Sequence, residues 1–351
     1  MPHTVCLLCG GFGGARFAPG IVQVAGPEHT TVITNPGDDV RFLGLEVWPD
    51  FDSVLYALAG QFDEELGWGR RADSTACAEV LAAEGWFRMG DRDIALSLLR
   101  TAWLADGLGR AKVARRCGER LGVTATVVPA SAQPHRTMIE TDRGWHELQE
   151  YLVRRRAMDP PTAVRISPQA DAATAQALDG LSADVAVLGP SNPVMSLWPI
   201  LTTPGIATGL ARAPRVVAVS PVVTALEPRT PPEASRFRVR ERLLALLGVP
   251  HTADGVATLW DDGIDGFVLD YRDEDAARRL KATDLAVLRT DLLPGGDAGR
   301  TALAREVLDF GLSLPPRTDR PQLDLAWHGS REPRNESIAA TAVAGSSNRN
   351  R

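Results

Sequence analysis

Four short apolar runs, each followed directly by a loop of turn-forming residues, constrain the fold of this chain more than any other feature. Stretches with a helical pattern lie between these runs. Continuous apolar strands that alternate with helices are typical of a mainly parallel sheet with both faces covered. The sequence therefore predicts an α/β fold. The four runs are residues 5–9, 31–34, 183–188 and 215–219.

Changes in composition and periodicity predict how the rest of the chain is organised. A mostly helical pattern fills residues 60–122, and a hairpin-like stretch spans 136–153. Residues 315–351 are rich in Pro, Arg, Ser and Asn, and they have too little apolar content to fold alone. We therefore predict one domain over residues 1–314, with a helical region inserted at 60–122, and a disordered tail over 315–351.

Composition argues against several classes of function. The chain has 351 residues and a net charge of -6, whereas a nucleic-acid partner would favour a basic face. No apolar run approaches the roughly 20 residues of a membrane span, and no basic region precedes the first apolar run. Cys6 and Cys9 lie three apart on a predicted strand, so they point to opposite faces and are better explained as buried apolar groups than as a redox pair. We expect a cytoplasmic protein that binds neither nucleic acid nor membranes.

A glycine-rich turn follows the first strand. A strand, a glycine turn and a helix start together make an anion site, because free N–H groups at the helix N-terminus face the ligand. The turn does not match the dinucleotide fingerprint G-x-G-x-x-G, since Arg16 occupies the third glycine position. A phosphate cradle remains the prediction, and Arg16 adds positive charge to it. Its residues are Gly10, Gly11, Gly13, Gly14 and Arg16.

Four carboxylates follow the second strand in close succession: Asp38, Asp39, Asp50 and Asp52. Like charges this close in sequence repel one another unless solvent spreads them or a cation gathers them. One interpretation is a solvated polar loop. The other is a site for a hard cation such as Mg²⁺, and the neighbouring loops favour it.

Each special loop begins where a predicted strand ends, and ligands of open parallel sheets bind outside the carboxyl ends of the strands. If the strands share one sheet, the glycine N–H groups, Ser191, Asn192 and the aspartates converge on one site. Backbone donors suit phosphates, and carboxylates suit a cation that bridges to them. The sequence therefore predicts a nucleotide or diphosphate ligand and metal-assisted phosphoryl transfer. The absence of G-x-S-x-G, of a Walker lysine and of H-E-x-x-H argues against hydrolases, P-loop kinases and metalloproteases.

Five sequence blocks, in this order, resemble the CofD/FbiA family of 2-phospho-L-lactate transferases and their phosphoenolpyruvate-using relatives in coenzyme F-420 biosynthesis. The resemblance covers residues 4–312. The acidic block and the block with PSNP carry most of its specificity. The blocks are GGFGGARF, NPGDDVRFLGLEVWPDFDSVLYALAG, WFRMGDRDIALSLLRT, LQEYLV and GPSNPVMSLWPIL.

The resemblance implies a Rossmann-like α/β core with an added helical region, and a homodimer. It implies a donor in which guanosine diphosphate is linked to lactate or enolpyruvate, and Fo (7,8-didemethyl-8-hydroxy-5-deazariboflavin) as the acceptor. The terminal ribityl hydroxyl of Fo would attack the phosphorus nearest the three-carbon acid, and GMP would leave. Mg²⁺ would neutralise the diphosphate while the protein aligns the in-line attack.

Matched position by position, the resemblance also implies roles for the four aspartates. All four become candidates for binding the metal, and Asp38 and Asp52 rank first. Asp38 and Asp39 become the catalytic candidates. The full metal set is Asp38, Asp39, Asp50 and Asp52.

The remaining implied site residues divide between donor and acceptor. The glycines and Arg16 of the glycine turn would hold the donor phosphates, and Ser191 and Asn192 would contact the nucleotide. On the acceptor side, an aromatic face could stack on the deazaflavin. The residues of this side are Trp86, Phe87, Arg88 and Asp91.

The sequence departs from the family in two places and leaves alternatives open. Pro36 replaces a residue that is usually Thr or similar to Ile, which should stiffen the turn. Residues 224–236 replace an element similar to Lys-Gly-Pro, which keeps a non-catalytic nucleotide-binding regulator of the same superfamily as the alternative function. The block GGFGGARF, with Arg rather than Lys, looks closer to actinobacterial members and favours the enolpyruvyl donor.

Overall fold

Seven parallel strands form the central sheet. In space they are ordered β12-β11-β10-β9-β1-β2-β5. Counted along the chain, the first six strands follow the 3-2-1-4-5-6 order of Rossmann folds, and β12 extends one edge. The predicted α/β, Rossmann-like sheet is confirmed. The strands are β1 (Val5–Cys9), β2 (Thr30–Thr34), β5 (Thr126–Pro129), β9 (Val185–Leu188), β10 (Val216–Val219), β11 (Gly266–Asp270) and β12 (Ala286–Thr290).

The remaining strands form two small antiparallel sheets. The hairpin of β3 (Val40–Phe42) and β4 (Leu45–Val47) directly follows the loop after β2. The second sheet has the order β7-β6-β8, and its pair β6–β7 confirms the predicted hairpin. Its strands are β6 (Thr137–Thr141), β7 (Gly144–Glu147) and β8 (Ala163–Ile166).

Helices cover both faces of the central sheet. One face is covered by α1, α2, α4, α5 and α12, and the other is covered mainly by α6, α7, α8, α10 and α11. A 3₁₀ turn (Pro27–His29) and two π-helical turns (Glu150–Arg154 and Pro193–Leu197) complete the elements. The α-helices are α1 (Gly11–Ala25), α2 (Pro49–Leu58), α3 (Ala76–Val80), α4 (Asp91–Ala105), α5 (Arg110–Leu121), α6 (Ala175–Gly180), α7 (Trp198–Leu201), α8 (Ile206–Arg212), α9 (Pro231–Leu246), α10 (Ala253–Ala257), α11 (Glu274–Leu280) and α12 (Gly296–Ser313).

Side chains of β1 alternate between the two apolar cores. Cys6 and Leu8 belong to the core on the α6 side, whereas Leu7 and Cys9 belong to the core on the α1 side. All four are fully buried, and burial raises the pKa of both thiols. The two cysteines therefore point to opposite faces of the sheet, as their spacing predicts.

The helical region predicted at 60–122 contains α3, α4 and α5, which lie between α2 and β5 in the chain. Helix α4 packs on β4 and on α5, and α5 packs on β5. This region is the added helical part of the predicted fold. It also brings two arginines to the site described below.

The start of α1 differs from the prediction of a glycine loop over residues 10–14. Only Gly10 precedes the helix, which begins at Gly11. A Cβ atom on Gly13 would lie 2.0 Å from the carbonyl oxygen of Pro190, and one on Gly14 would lie 2.8 Å from the Cβ of Cys9. These glycines therefore allow the first turn of the helix to pack directly against β1 and the loop after β9.

The structure, a computed structural model, describes residues 3–81, 85–260, 263–317, 319–323 and 325. Part of the predicted disordered tail falls in these ranges and contacts the domain: Arg317 N donates to the oxygen of Pro214, and the buried Arg320 forms an ion pair with Asp265. The other predicted tail residues lie outside the described ranges.

Within the described ranges, no single helix has both the length and the hydropathy needed to cross a membrane. One pair of helical segments, Pro193–Leu201 and Ile206–Arg212, satisfies the criteria by length and composition alone, and the pair is bent by 84°.

Candidate active site

The candidate site lies where the strand order reverses, at the carboxyl ends of β1, β2 and β9. This reversal is where open α/β sheets bind their ligands. Gly10 follows β1, Asn35 follows β2, and Ser191 lies in the loop after β9. Helix α2 begins at Pro49 and places Asp50 and Asp52 in its first turn.

The side-chain amide of Asn35 forms hydrogen bonds to several groups around the loop after β2, which we call the acidic loop because it contains Asp38 and Asp39. Its Nδ2 donates to Oδ1 of Asp38 at 3.0 Å and to Oδ2 of Asp50 at 2.8 Å. The same nitrogen lies 3.0 Å from the carbonyl oxygen of Met195, and Oδ1 of Asn35 accepts from the N–H of Gly37 at 2.7 Å. One buried amide thus holds together the loop after β2, the start of α2 and the π-helical turn after β9.

Further donors fix the two carboxylates that Asn35 joins. Nε2 of Gln149 donates to Oδ2 of Asp38 at 2.9 Å. Oγ of Ser196 lies 3.3 Å from Oδ2 of Asp50, and the backbone N–H of Gly11 also bonds Asp50. We call Asp38 and Asp50, with the amides of Asn35 and Gln149, the acid cluster.

The acid cluster carries more negative charge than its surroundings compensate. Burial raises the pKa of Asp38 well above its usual value of 3.8, and the charges of Asp50 and Asp39 raise it further. Burial also raises the pKa of Asp50, although its hydrogen bonds oppose the shift. Two buried carboxylates held by neutral amides are suited to a cation, since a positive charge would favour their ionised forms.

The other two aspartates of the predicted metal set bind arginines from the inserted helical region. Asp39 forms a buried ion pair with Arg110, the first residue of α5, and Asp52 forms one with Arg100 of α4. Burial raises the pKa of each carboxyl to about 6, while the arginine beside it lowers it.

The structure therefore divides the predicted set of four into two pairs. Asp38 and Asp50 form the acid cluster, and Asp39 and Asp52 are neutralised by arginines. Asp52 and Asp38 ranked first as predicted metal ligands. The structure instead places Asp52 in the pair that is bound by arginines. In the described ranges, no group of three or more His, Cys, Asp or Glu residues is arranged to hold a metal ion.

Gly10 and Ser191 join the loops after β1 and β9. Oγ of Ser191 accepts from the N–H of Gly10 at 3.0 Å and donates to the oxygen of the same glycine at 2.9 Å. A Cβ atom on Gly10 would lie 2.2 Å from Oδ2 of Asp50, so only glycine fits there. Asn192 accepts with Oδ1 from the N–H groups of Val194 and Met195, both at 2.9 Å, and thereby caps the π-helical turn.

Arg16, predicted in the phosphate cradle, lies on the first turns of α1. Its Nε is 3.2 Å from a carboxylate oxygen of Glu64, and its guanidinium carbon is 5.3 Å from the centroid of the Phe12 ring. Part of its charge is therefore already compensated by Glu64, which also pairs with Arg300 at 3.0 Å.

The predicted acceptor residues lie beside the β3–β4 hairpin. Trp86 and Phe87 contact Phe42, with ring centroids 5.6 and 5.8 Å away, in a small apolar cluster. Arg88 is exposed. The carboxylate of Asp91 accepts from the N–H of Cys77 at 2.9 Å and from Oγ of Ser74 at 2.7 Å, which ties it to the start of α3.

Sequence reasoning missed five residues of this site. Asn35 lies inside the quoted NPGDD block, where an Asn after a buried strand and before a turn signals side-chain hydrogen bonding. Nothing local marks the others, because their partners come from distant elements. They are Arg100, Arg110, Gln149 and Ser196.

A cleft of about 500 Å³ adjoins the arginine side of the site. The first turn of α5, including Arg110 and Lys112, lines the cleft together with Thr174. Arg110 thus reaches from this cleft to Asp39.

A family model and the named relatives of this chain indicate the same family. The family model described as 2-phospho-L-lactate transferase CofD matches residues 5–306. A Streptomyces coelicolor protein named phosphoenolpyruvate transferase is 34% identical over 316 residues, which cover 87% of this chain and 97% of that protein. A 2-phospho-L-lactate transferase of Methanospirillum hungatei is 32% identical over 274 residues, which cover 77% of this chain and 89% of that protein.

Solved structures resemble this chain in fold. A crystal structure of a UPF0052 family member from Bacillus halodurans superposes with a TM-score of 0.57 at 17% identity. The match covers 88% of this chain and 99% of that one. At this level of identity, the likeness concerns the architecture alone.

Proposed function

This chain belongs to the 2-phospho-L-lactate transferase CofD family, and from that premise we propose that it moves a phosphoenolpyruvyl or 2-phospho-L-lactyl group from a GDP-linked donor to Fo. The product would be a phosphorylated deazaflavin of coenzyme F-420 biosynthesis, and GMP would be released. The observation that carries this proposal is the acid cluster at the reversal of strand order. It combines the carboxylates Asp38 and Asp50 with the glycine start of α1.

The acid cluster fits the Mg²⁺ that the family implies. Mg²⁺ is commonly bound by one or two carboxylates together with substrate phosphates, and it needs no cage made of protein ligands alone. Asp38 and Asp50 supply two carboxylates, and no arginine among the described residues forms an ion pair with either. They are the residues that would hold the ion. Bound there, Mg²⁺ would neutralise charge on the donor diphosphate.

The proposed transfer needs no covalent enzyme intermediate. A P–O bond forms between the ribityl oxygen of Fo and the phosphorus that bears the three-carbon acid, and the P–O bond to GMP breaks. The ribityl hydroxyl loses its proton as the new bond forms. The chain mainly has to align donor and acceptor.

The residues of the site would perform this alignment. Asn35 and Gln149 orient the carboxylate of Asp38, and Ser191 fixes the turn at Gly10 against the loop after β9. Of the two predicted catalytic residues, Asp38 is in the acid cluster. Asp39 would instead support the loop through its ion pair with Arg110.

Named relatives from Streptomyces support the enolpyruvyl group as the donor acid. The proteins of S. coelicolor and S. griseus, 34% and 35% identical to this chain, are both named phosphoenolpyruvate transferase. The lactyl group stays as the alternative, since the M. hungatei relative is named for 2-phospho-L-lactate. A homodimer, implied by the resemblance, and a cytoplasmic location, expected from the composition, are part of the same proposal.

The test combines purified protein with Fo, Mg²⁺ and each of three GDP-linked acids: enolpyruvyl, lactyl and glyceryl. Mass spectrometry of the deazaflavin product identifies the acid, and GMP is measured in parallel. We expect product and GMP in equal amounts, with enolpyruvyl the best donor. Asp38→Asn should abolish turnover, and the exposed Asp142→Asn serves as the matched control. Nucleotide binding without turnover with any donor would support the nucleotide-binding regulator instead.

A further inference from the structure

Arginines surround Phe12, the second residue of α1. The guanidinium carbon of Arg236 lies 4.6 Å from the centroid of the Phe12 ring, and that of Arg16 lies 5.3 Å from it. Arg236 belongs to α9, a helix far from α1 in the chain. Phe12 follows Gly11, whose N–H bonds Asp50, so this arginine cluster begins beside the acid cluster.

Arg240 extends the cluster by one helical turn. Residues four apart lie on the same face of a helix, so Arg236 and Arg240 are neighbours. Nε of Arg240 donates to Nε2 of His251 at 2.8 Å, and the His251 ring packs edge-on against Phe237 with centroids 4.3 Å apart. Burial, and then the charge of Arg240, lower the pKa of His251 to about 4. The neutral imidazole therefore accepts a hydrogen bond from Arg240 without compensating its charge.

The carboxylates nearest to this cluster are bound by other groups, although the charge of Glu233 partly opposes the lowering of the Arg236 pKa. Glu233 accepts from the N–H groups of Arg229 at 2.7 Å and Thr230 at 3.1 Å, which caps the start of α9. Glu64 pairs with Arg16 and with Arg300. Among the residues that the structure describes, neither Arg236 nor Arg240 forms an ion pair with Asp or Glu.

Two partly buried guanidinium groups that form no direct ion pair with a carboxylate are unfavourable unless an anion supplies the missing charge. Burial lowers the pKa of Arg236 and lowers that of Arg240 to about 10, because the charged form loses solvation. A ligand that binds beside Arg236 and Arg240 must therefore carry negative charge where it contacts them. A guanidinium is suited to phosphate because its donors match the phosphate oxygens in pairs.

We propose that Arg236 and Arg240 bind the phosphates of a nucleoside diphosphate group, at the start of α1 and opposite the acid cluster. The inference rests on the proposed function for the identity of the whole donor, but the phosphate site stands on the arginines themselves. A diphosphate at this position would have the carboxylates of Asp38 and Asp50, with their cation, on one side. The two arginines of α9 would lie on the other side.

The test measures binding of GDP and of inorganic pyrophosphate to the full chain by titration calorimetry, with and without Mg²⁺. Loss of a hydrogen bond to a charged group corresponds to roughly 10- to 100-fold weaker binding. We expect that loss for Arg236→Gln and for Arg240→Gln, and a smaller one for Arg236→Lys, which keeps the charge. Arg238→Gln is the matched control, since Arg238 is an exposed arginine of the same helix. Its affinity should equal that of the wild type.

Several outcomes decide the inference. It is wrong if both Gln variants bind GDP and pyrophosphate as tightly as the wild type does, or if the wild type binds neither. If Arg240→Gln does not fold, the half-buried Arg236 decides alone, with thermal unfolding as the check on its fold. If binding weakens as expected but Fo is never phosphorylated, the phosphate site stands and the proposed transfer fails.

Discussion

Asp38 and Asp50 share one hydrogen-bond donor, since Nδ2 of Asn35 lies 3.0 Å from one carboxylate and 2.8 Å from the other. The two acids come from different elements, the loop after β2 and the first turn of α2. A single amide therefore links the two carboxylates directly.

Replacing Asn35 with Ala should separate the two acids and abolish turnover. The change removes one donor from each of two buried carboxylates and leaves the N–H of Gly37 without its acceptor, so the free energy of unfolding should fall by about 1–3 kcal/mol. Urea unfolding measures this change. Gln322→Ala removes an exposed amide bond to Thr208 and should change stability little. Equal effects of the two substitutions would contradict the central role of Asn35.

Replacing Asp38 with Asn should stabilise the metal-free protein at alkaline pH while abolishing turnover. The pKa of Asp38 is raised in the folded state, so the folded protein binds its proton more tightly than the unfolded chain does. The contribution of this group to stability is therefore present below its usual pKa of 3.8 and is lost as pH rises through the raised value. Asp38→Asn has no carboxylate to titrate at this position, so its stability should not fall in this way as pH rises.

The measurement is the free energy of unfolding of the wild type and of Asp38→Asn from acid to alkaline pH, without divalent cations. The two curves should diverge as pH rises, by about 1.4 kcal/mol for each unit of pKa shift. Asp142→Asn, at an exposed position, should follow the wild type. Parallel curves for Asp38→Asn would show that Asp38 titrates normally.

Replacing Asp52 with Asn should destabilise the fold, because it leaves the fully buried Arg100 without its counter-ion. Breaking a buried pair from one side typically costs about 3–5 kcal/mol. The double variant Asp52→Leu with Arg100→Met should recover much of this loss, which guanidinium unfolding of the single and double variants measures. If Asp52→Asn leaves stability intact and removes only the Mg²⁺ dependence of turnover, Asp52 is a metal ligand after all.

Replacing Gly10 with Ala should disrupt the site, because the new Cβ would lie 2.2 Å from Oδ2 of Asp50 and 2.8 Å from the Cβ of Asn35. We expect loss of turnover and a clear drop in melting temperature. Gly295→Ala makes the same chemical change at the start of α12, where the Cβ would meet no atom within 4 Å. Its effect should be limited to the small capping preference for glycine, about 1 kcal/mol or less.

The sequence alone predicted most of the central sheet, because buried parallel strands are continuous apolar runs. Strand β1 matches its predicted run of residues 5–9, and β2, β9 and β10 differ from their predictions by one or two residues at one end. Strands β11 and β12 were not predicted. The glycine-rich turn was predicted to contain Gly10, Gly11, Gly13 and Gly14, because four glycines suggest a loop, but the helix already begins at Gly11. Here they allow close helix packing instead.

The candidate site was predictable only in part, for a physical reason. That the aspartates follow β2 can be read from the chain itself, and the structure places Asp38 and Asp50 together. Arg100 and Arg110 decide which of the four aspartates are paired with a positive charge and which are not. These arginines lie 48 and 71 positions from their partners, Asp52 and Asp39. No local pattern reveals a pairing across that separation, and the same holds for Gln149 on Asp38.

The two ion pairs that join the acidic loop and α2 to the inserted helices also limit how such a chain can evolve. A substitution at either member of a pair leaves its partner charged and buried, so neither segment can drift alone. Among homologous sequences, Asp39 with Arg110 and Asp52 with Arg100 should be inherited as couples. A chimaera that exchanges α4 and α5 between distant relatives would therefore need to exchange the acidic loop and α2 with them.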